Sequence, residues 1–218
     1  MVCGIDEREL IAIITAQVLA ALKDGPADDG IPVGISVRHI HIRPEDLAVL
    51  YGPGTQLTKA RDLAQPGEFA AQETLTLIGP RMRSLENVRI LGPTRPQTQV
   101  EISRTDAIIL GIDPPVRRSG EIAGSPGLTL VGPHGVLMLK EGVIRANRHI
   151  HLHEADAARL GVKQDEEVDV EAGGDKALIF RHVQIRIGAK FVLQMHLDTD
   201  DANAAGISCN AKARIYRR

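Results

Sequence analysis

Tryptophan is missing from this chain, and three phenylalanines and two tyrosines bring its aromatics to only 2 % of 218 residues. A core without large rings has to be assembled from Val, Ile, Leu and Ala. There are only two cysteines, Cys3 and Cys209, too few and too far apart for a disulfide framework, which makes a reducing cytosol the default compartment. No apolar run reaches the length that crosses a bilayer, and the first residues lack a basic stretch leading into an uncharged apolar one. With 26 basic and 28 acidic residues the formal charge is −2, so there is no cationic excess to hold nucleic acid or an anionic membrane. A glycine-rich phosphate loop, a dinucleotide-binding fingerprint and a nucleophile elbow are also absent. The expectation is a soluble intracellular protein without nucleic-acid or membrane partners. What the chain has in quantity is 21 glycines, 12 prolines and many short β-branched runs, the signature of strands joined by turns.

The organising feature is a repeat. Arg38-His39-Ile40-His41 returns 110 residues later as Arg148-His149-Ile150-His151, each copy following a strand-like run and leading into an acidic segment that ends in Gly. In an extended strand, residues i and i+2 share a face, so each H-x-H holds two imidazoles side by side. One such pair is as compatible with a solvated strand as with a metal site; two copies in matching context favour the metal. A second repeat has an offset of 95: Val100-Glu101-Ile102, Asp106 and Gly111-Ile112 match Met195-His196-Leu197, Asp201 and Gly206-Ile207. Each half therefore offers an H-x-H strand and a later strand with one further ligand.

These repeats predict a mainly β protein of two homologous small antiparallel β-barrel units with short capping helices, over residues 31–120 and 121–218. The boundary between them is best placed between Ser119-Gly120 and Pro126-Gly127. Ahead of them, residues 6–23 read as an amphipathic helix, with Asp6 and Glu9 in a capping pattern and Leu10, Ile11, Ile14, Val18, Ala21 and Leu22 on one stripe. Residues 24–30 read as a linker, leaving 1–30 as a separate segment that docks on its own protein or on another.

Three protein ligands with an open position are the pattern of a catalytic metal site. The first half offers His39, His41 and Glu101, and the second His149, His151 and His196. Two open sites suggest a substrate lying between them, one metal for each reacting group. His153 reads as a helix cap or supporting group, and His134 and His182 as surface residues. Arg81, Arg83, Arg89 and Arg95 cluster within a short stretch. Arg95, six residues before Glu101, is placed to clamp a phosphate with its planar fork. A metal-dependent hydrolase and a non-catalytic metal-binding module remain alternatives at this point.

The motifs Val37-Arg38-His39-Ile40-His41-Ile42, Gly92-Pro93-Thr94-Arg95 with Gln99-Val100-Glu101-Ile102-Ser103, and Asn147-Arg148-His149-Ile150-His151-Leu152 resemble the PduL-type phosphate propanoyltransferases, the phosphotransacylases of bacterial microcompartments. The similarity extends from Ile31 to Tyr216. It implies two β-barrel units, two zinc ions and reversible acyl transfer from short-chain acyl-CoA, such as propanoyl-CoA, to phosphate. Carried over by motif, His39, His41 and Glu101 hold one zinc and His149, His151 and His196 the other, with Arg95 on phosphate. Coenzyme A would meet Ile35, Ser36, Val37, Met82, Arg89 and Asn203; Val37 stands where family members often have Asn. The resemblance also implies a homo-oligomer, a dimer being favoured. The first helix then resembles an encapsulation peptide for shell proteins, and the location is the microcompartment lumen or the cytoplasm.

Overall fold

The computed structural model describes residues 30–217 together with Ile11 and Thr15, both in helical backbone. The amphipathic helix expected over 6–23 and its docking lie outside the described residues. From Ile31 onward the chain forms one unit. Its first half contains, in order, β1 (Ile31–Ser36), β2 (His39–His41), α1 (Pro44–Tyr51), β3 (Lys59–Asp62), β4 (Phe69–Ile78), β5 (Ser84–Gly92), β6 (Gln99–Glu101), α2 (Arg104–Leu110) and β7 (Val116–Arg117). Then follow β8 (Thr129–Val131), β9 (Val136–Met138), β10 (Val143–Ala146), β11 (His149–Leu152), α3 (Glu154–Leu160), β12 (Glu167–Ala172), β13 (Leu178–Ile187), β14 (Gln194–Asp198), α4 (Thr199–Ala205) and β15 (Lys212–Tyr216).

Local chemistry accounts for these pieces. In β2, Ile40 is fully buried in one core while the alternation of the strand turns His39 and His41 to the opposite face. The short helices begin and end on residues chosen for the purpose. Pro44 opens α1. Ser103 and Asp106 form a reciprocal capping box on α2, and Asp198 accepts from the Asp201 amide at the start of α4. Gly111, Gly161 and Gly206 close α2, α3 and α4 in the left-handed region, with φ of 75°, 64° and 63°, where a Cβ is penalised.

The strands form two sheets. One is a closed six-stranded barrel in the order β1-β14-β11-β13-β12-β15; the other is a curled half-barrel of nine strands in the order β7-β10-β6-β2-β5-β4-β8-β9, with β3 added on β4. Each surrounds its own apolar core, Val33, Ile150, Ile185 and Met195 in the barrel, Ile40, Ile90, Val100 and Val143 in the half-barrel.

The expectation of two antiparallel barrels needs correcting in two respects. Only one sheet closes; the other ends on two residues at β7 and three at β9, too little paired backbone to join its edges. Both sheets are also mixed: β2 runs parallel to β5 and β11 to β13, and the strand preceding each H-x-H is exchanged between the sheets. β1 pairs parallel with β14, and β10 pairs parallel with β6. A strand delivered from the other half arrives through a long connection, so it is not bound to the antiparallel sense that a hairpin imposes. The exchange respects the repeat: Val33 lies beside Met195 as Val143 lies beside Val100.

Candidate active site

Register brings the histidines and Glu101 together. His39 sits opposite Glu101 across β2 and β6, and His149 sits opposite His196 across β11 and β14. The faint 95-residue repeat thus becomes the same cross-strand pairing in both sheets. In the first group His39 Nε2 lies 3.5 Å from Glu101 Oε2 and His41 Nε2 lies 3.7 Å from Oε1, with the two rings edge to face. In the second, the rings of His149 and His196 stack at 4.8 Å, and His151 lies 4.7 Å from His149 and 4.8 Å from His196. Within each group one donor atom from every residue lies within 4.8 Å of the others.

The donor chemistry fits a divalent metal at each group. The His39 and His149 Nδ1 atoms face the Val37 and Asn147 carbonyls at 2.9 and 2.8 Å, so Nδ1 carries the proton and Nε2 is left with its lone pair. His151 Nδ1 and His196 Nε2 are buried and have no hydrogen-bond partner among the described residues, a cost a bound cation would remove. Burial, first of all, keeps the imidazoles uncharged: it pushes His196 down to about 3 and His151 to about 4, Arg186 adding to both shifts. His149 lies well below the usual range for the same leading reason, then the field of His196, and His41 falls to about 2 through burial, then His39 and Arg95. Neutral imidazoles and a carboxylate are the protonation states that ligate.

The two groups face one cleft, lined by Ser36, His39 and Glu101 from one side of the repeat and Asn147, His149 and His196 from the other. A matched pair of supports holds them. Arg38 binds Asp106 of α2 at 2.7–2.8 Å, and Arg148 binds Asp201 of α4 at 2.7–3.1 Å. The arginine of each Arg-His-Ile-His motif therefore anchors its strand to a capping helix.

Arg95 is half-buried, and its field reaches His41 and His151, one member of each group. Its amide donates to Ile42, its Nη2 to Glu68 at 3.0 Å and its Nη1 to Ser119 at 3.2 Å. Gln99 donates to Glu101 at 2.6 Å and to Ser119 at 2.9 Å while accepting from the Gly120 amide. The segment the sequence offered as an inter-domain boundary is thus part of the site. Sequence reasoning missed Glu68, Gln99, Ser119 and Arg186; Gln99 stood in a quoted motif without a role, and the others fall outside both repeats.

The remaining predicted contacts are more scattered. Ser36 lines the cleft and Ile35 is half-buried beside Leu197, but Val37 is exposed. Arg89 lies beside His39 in register and donates to the Ala71 and Gln72 carbonyls, Met82 is 82 % exposed at the tip between β4 and β5, and Asn203 is exposed on α4. His153 caps α3 through its Nδ1, and His134 and His182 are exposed, as read from the sequence.

The amino-acid sequence matches known proteins across nearly the whole described chain. The family model for phosphate propanoyltransferase matches residues 32–208. A phosphate propanoyltransferase from Thermotoga maritima is 52 % identical over 179 residues, covering 82 % of this chain and 85 % of its own. One from Lachnoclostridium phytofermentans is 47 % identical over 204 residues, 94 % of this chain and 95 % of its own. A third, from Rhodopseudomonas palustris, is 43 % identical over 226 residues, with 97 % and 99 % covered. With likeness of this extent, the chain belongs to the phosphate propanoyltransferase family of acyltransferases.

Proposed function

We propose that this enzyme transfers a short acyl group, propanoyl or one of similar size, between coenzyme A and phosphate, with two divalent metal ions, zinc by choice of donors, held by the His39-His41-Glu101 and His149-His151-His196 groups. The observation that carries the reading is two three-donor groups that meet at one cleft through His39 and Glu101 on one side and His149 and His196 on the other, with the charge of Arg95 acting on a histidine of each. Nitrogen and carboxylate donors in sets of three suit zinc with a position left open. When bound, the metals would supply Lewis acidity toward the thioester carbonyl and the charge needed to keep the departing thiolate unprotonated.

The chain's own residues do the rest. Arg95 holds phosphate as a planar fork, with Ser119 and Glu68 fixing the guanidinium's direction. One phosphate oxygen then attacks the acyl carbon, the C–S bond breaks, and the electron pair leaves on sulfur as coenzyme A thiolate. Ser36 in the cleft wall, with Ile35, Val37, Met82, Arg89 and Asn203, is the proposed coenzyme A contact. The stripe along residues 6–23 supports docking on a microcompartment shell, tested by co-localisation of a 1–24 deletion.

The deciding experiment combines metal analysis with product analysis on propanoyl-CoA. Phosphate-dependent thiol release giving propanoyl phosphate, with two metals per chain and one lost on His39→Ala or His149→Ala, is the expected result. Free propanoate as the product would instead make the enzyme a hydrolase, and a metal content indifferent to both substitutions would remove the two-site reading.

A further inference from the structure

Arg186 is a charged residue beside the second donor group whose counterpart in the internal repeat is apolar. β13 runs beside β11 as β5 runs beside β2: Gln184 pairs with His149 and Ile185 with Ile150, where Arg89 pairs with His39 and Ile90 with Ile40. The next residue in β13, Arg186, lies beside His151, and its counterpart in β5 is Leu91. A leucine satisfies the same position in the other sheet, so the fold does not demand an arginine there.

The guanidinium is also held in an unusual way. It is half-buried, and its hydrogen bonds among the described residues go to neutral oxygens: Nη2 donates to Asn147 Oδ1 at 2.8 Å and Nε to Gln184 Oε1 at 3.3 Å. Gln184 in turn accepts from Asn147 Nδ2 at 3.0 Å and donates to Asp165, which pairs with Arg118. Among the described residues Arg186 joins no ion pair, whereas Arg95 is already paired with Glu68. Two of its five N–H groups are used among the described residues, leaving three to bind a ligand. Burying a cation without an anion costs free energy, and here that cost lowers the guanidinium's proton affinity through desolvation. Its field reaches His149, His151 and His196 in one group and Glu101 in the other, and its anchor Asn147 lines the cleft. The corresponding position to Asn147 is Val37, so the whole shelf exists in one half only.

We infer that Arg186 is a second phosphate-holding residue, its unused N–H groups binding orthophosphate in one direction and the phosphoryl group of the acyl phosphate in the other. This rests on the acyl-transfer reading above. In that arrangement Arg95 and Arg186 hold the anion from opposite halves, and Asn147 and Gln184 set the direction of the Arg186 fork.

The test compares metal-loaded, full-length wild type with Arg186→Met, Arg186→Lys and Asn147→Asp. Phosphate and propanoyl-CoA dependence of thiol release, calorimetric titration of inorganic phosphate, metal content and melting temperature are read for each. Arg186→Met is expected to raise the phosphate KM and Kd by about ten- to a hundredfold, as befits a lost charged hydrogen-bonding group, while the propanoyl-CoA KM stays within about twofold. Lysine should recover part of the loss. Asn147→Asp should behave like Arg186→Met, because a carboxylate on Nη2 neutralises the cation; a purely structural arginine would be held better by it. An unchanged phosphate Kd in Arg186→Met, or equal losses for both substrates together with loss of metal, would overturn the inference. Wild-type enzyme that releases thiol without phosphate would instead defeat the acyl-transfer reading, and the phosphate titration would still decide the role of Arg186.

Discussion

An imidazole ligates a metal through a lone pair, so what matters at each histidine is where its proton sits. The rings of buried His149 and half-buried His151 and His196 are uncharged before any cation arrives, chiefly because burial disfavours the imidazolium. Their folded values lie below the unfolded 6.5, so between the two the unfolded chain binds more protons and stability rises with pH. The metal-free protein is therefore expected to lose melting temperature as pH falls below 6.5 toward about 4 for His151 and about 3 for His196, the effect being absent above 6.5. Melting scans of chelator-treated protein across that range check this, and a flat profile from pH 7 to 4 would contradict it. At Arg95 the relevant property is shape. Arg95→Ala should raise the phosphate KM by about tenfold or more with metal content unchanged, and Arg95→Lys should recover little, since an ammonium cannot reproduce the fork. Wild-type phosphate dependence in Arg95→Ala would remove its role.

Between residue and sheet lies the element, and here the strand-to-helix anchors decide stability. Asp106 is only 1 % exposed, held by Arg38 and by its own capping box, whereas Asp201 is 20 % exposed beside Arg148. Removing the arginine from the buried carboxylate should cost more. Arg38→Met is expected to destabilise by about 1.5–3 kcal/mol and Arg148→Met by less, measured by urea denaturation. Equal losses at the two sites would show that burial of the carboxylate is not the controlling factor. The spacing of Asp106 and Asp201 was visible as a repeat, and Arg38 and Arg148 belong to the most conspicuous motif in the chain. Their partnership was not visible, because nothing in a sequence states which helix packs over which strand.

For the molecule as a whole, the reciprocal exchange of β1 and β10 makes each sheet depend on both halves. A fragment of residues 31–120 would carry β1 without β14 and β15, and would lack β8 to β10, which complete its own sheet. A fragment of 121–218 would lack β1, one wall of the closed barrel, and expose the core face that Val33 covers. Each fragment alone is expected to be unfolded or aggregated, and mixing the two to restore structure, followed by circular dichroism and cooperative melting. A single half that melts cooperatively on its own would show that the exchange is dispensable. The same exchange places the two donor groups across one cleft, since the strands that swap are those leading into the H-x-H pairs.

The sequence by itself determined what depends on short spacing. Two imidazoles share a face because the strand period is two, Gly111, Gly161 and Gly206 stop helices because left-handed backbone favours glycine, and the 110- and 95-residue offsets matched His39 with His149 and Glu101 with His196. The resemblance to a known family rested on the same short motifs. Only the tertiary structure decided which sheet each strand joins, that one barrel closes and the other does not, that Glu68 and Ser119 bond Arg95, and that Arg186 bonds Asn147 in the cleft wall. Those outcomes follow from strand register and from which core each exchanged strand can bury its apolar face in. Both are set by pairing between residues far apart in the chain, where no period or spacing leaves a trace.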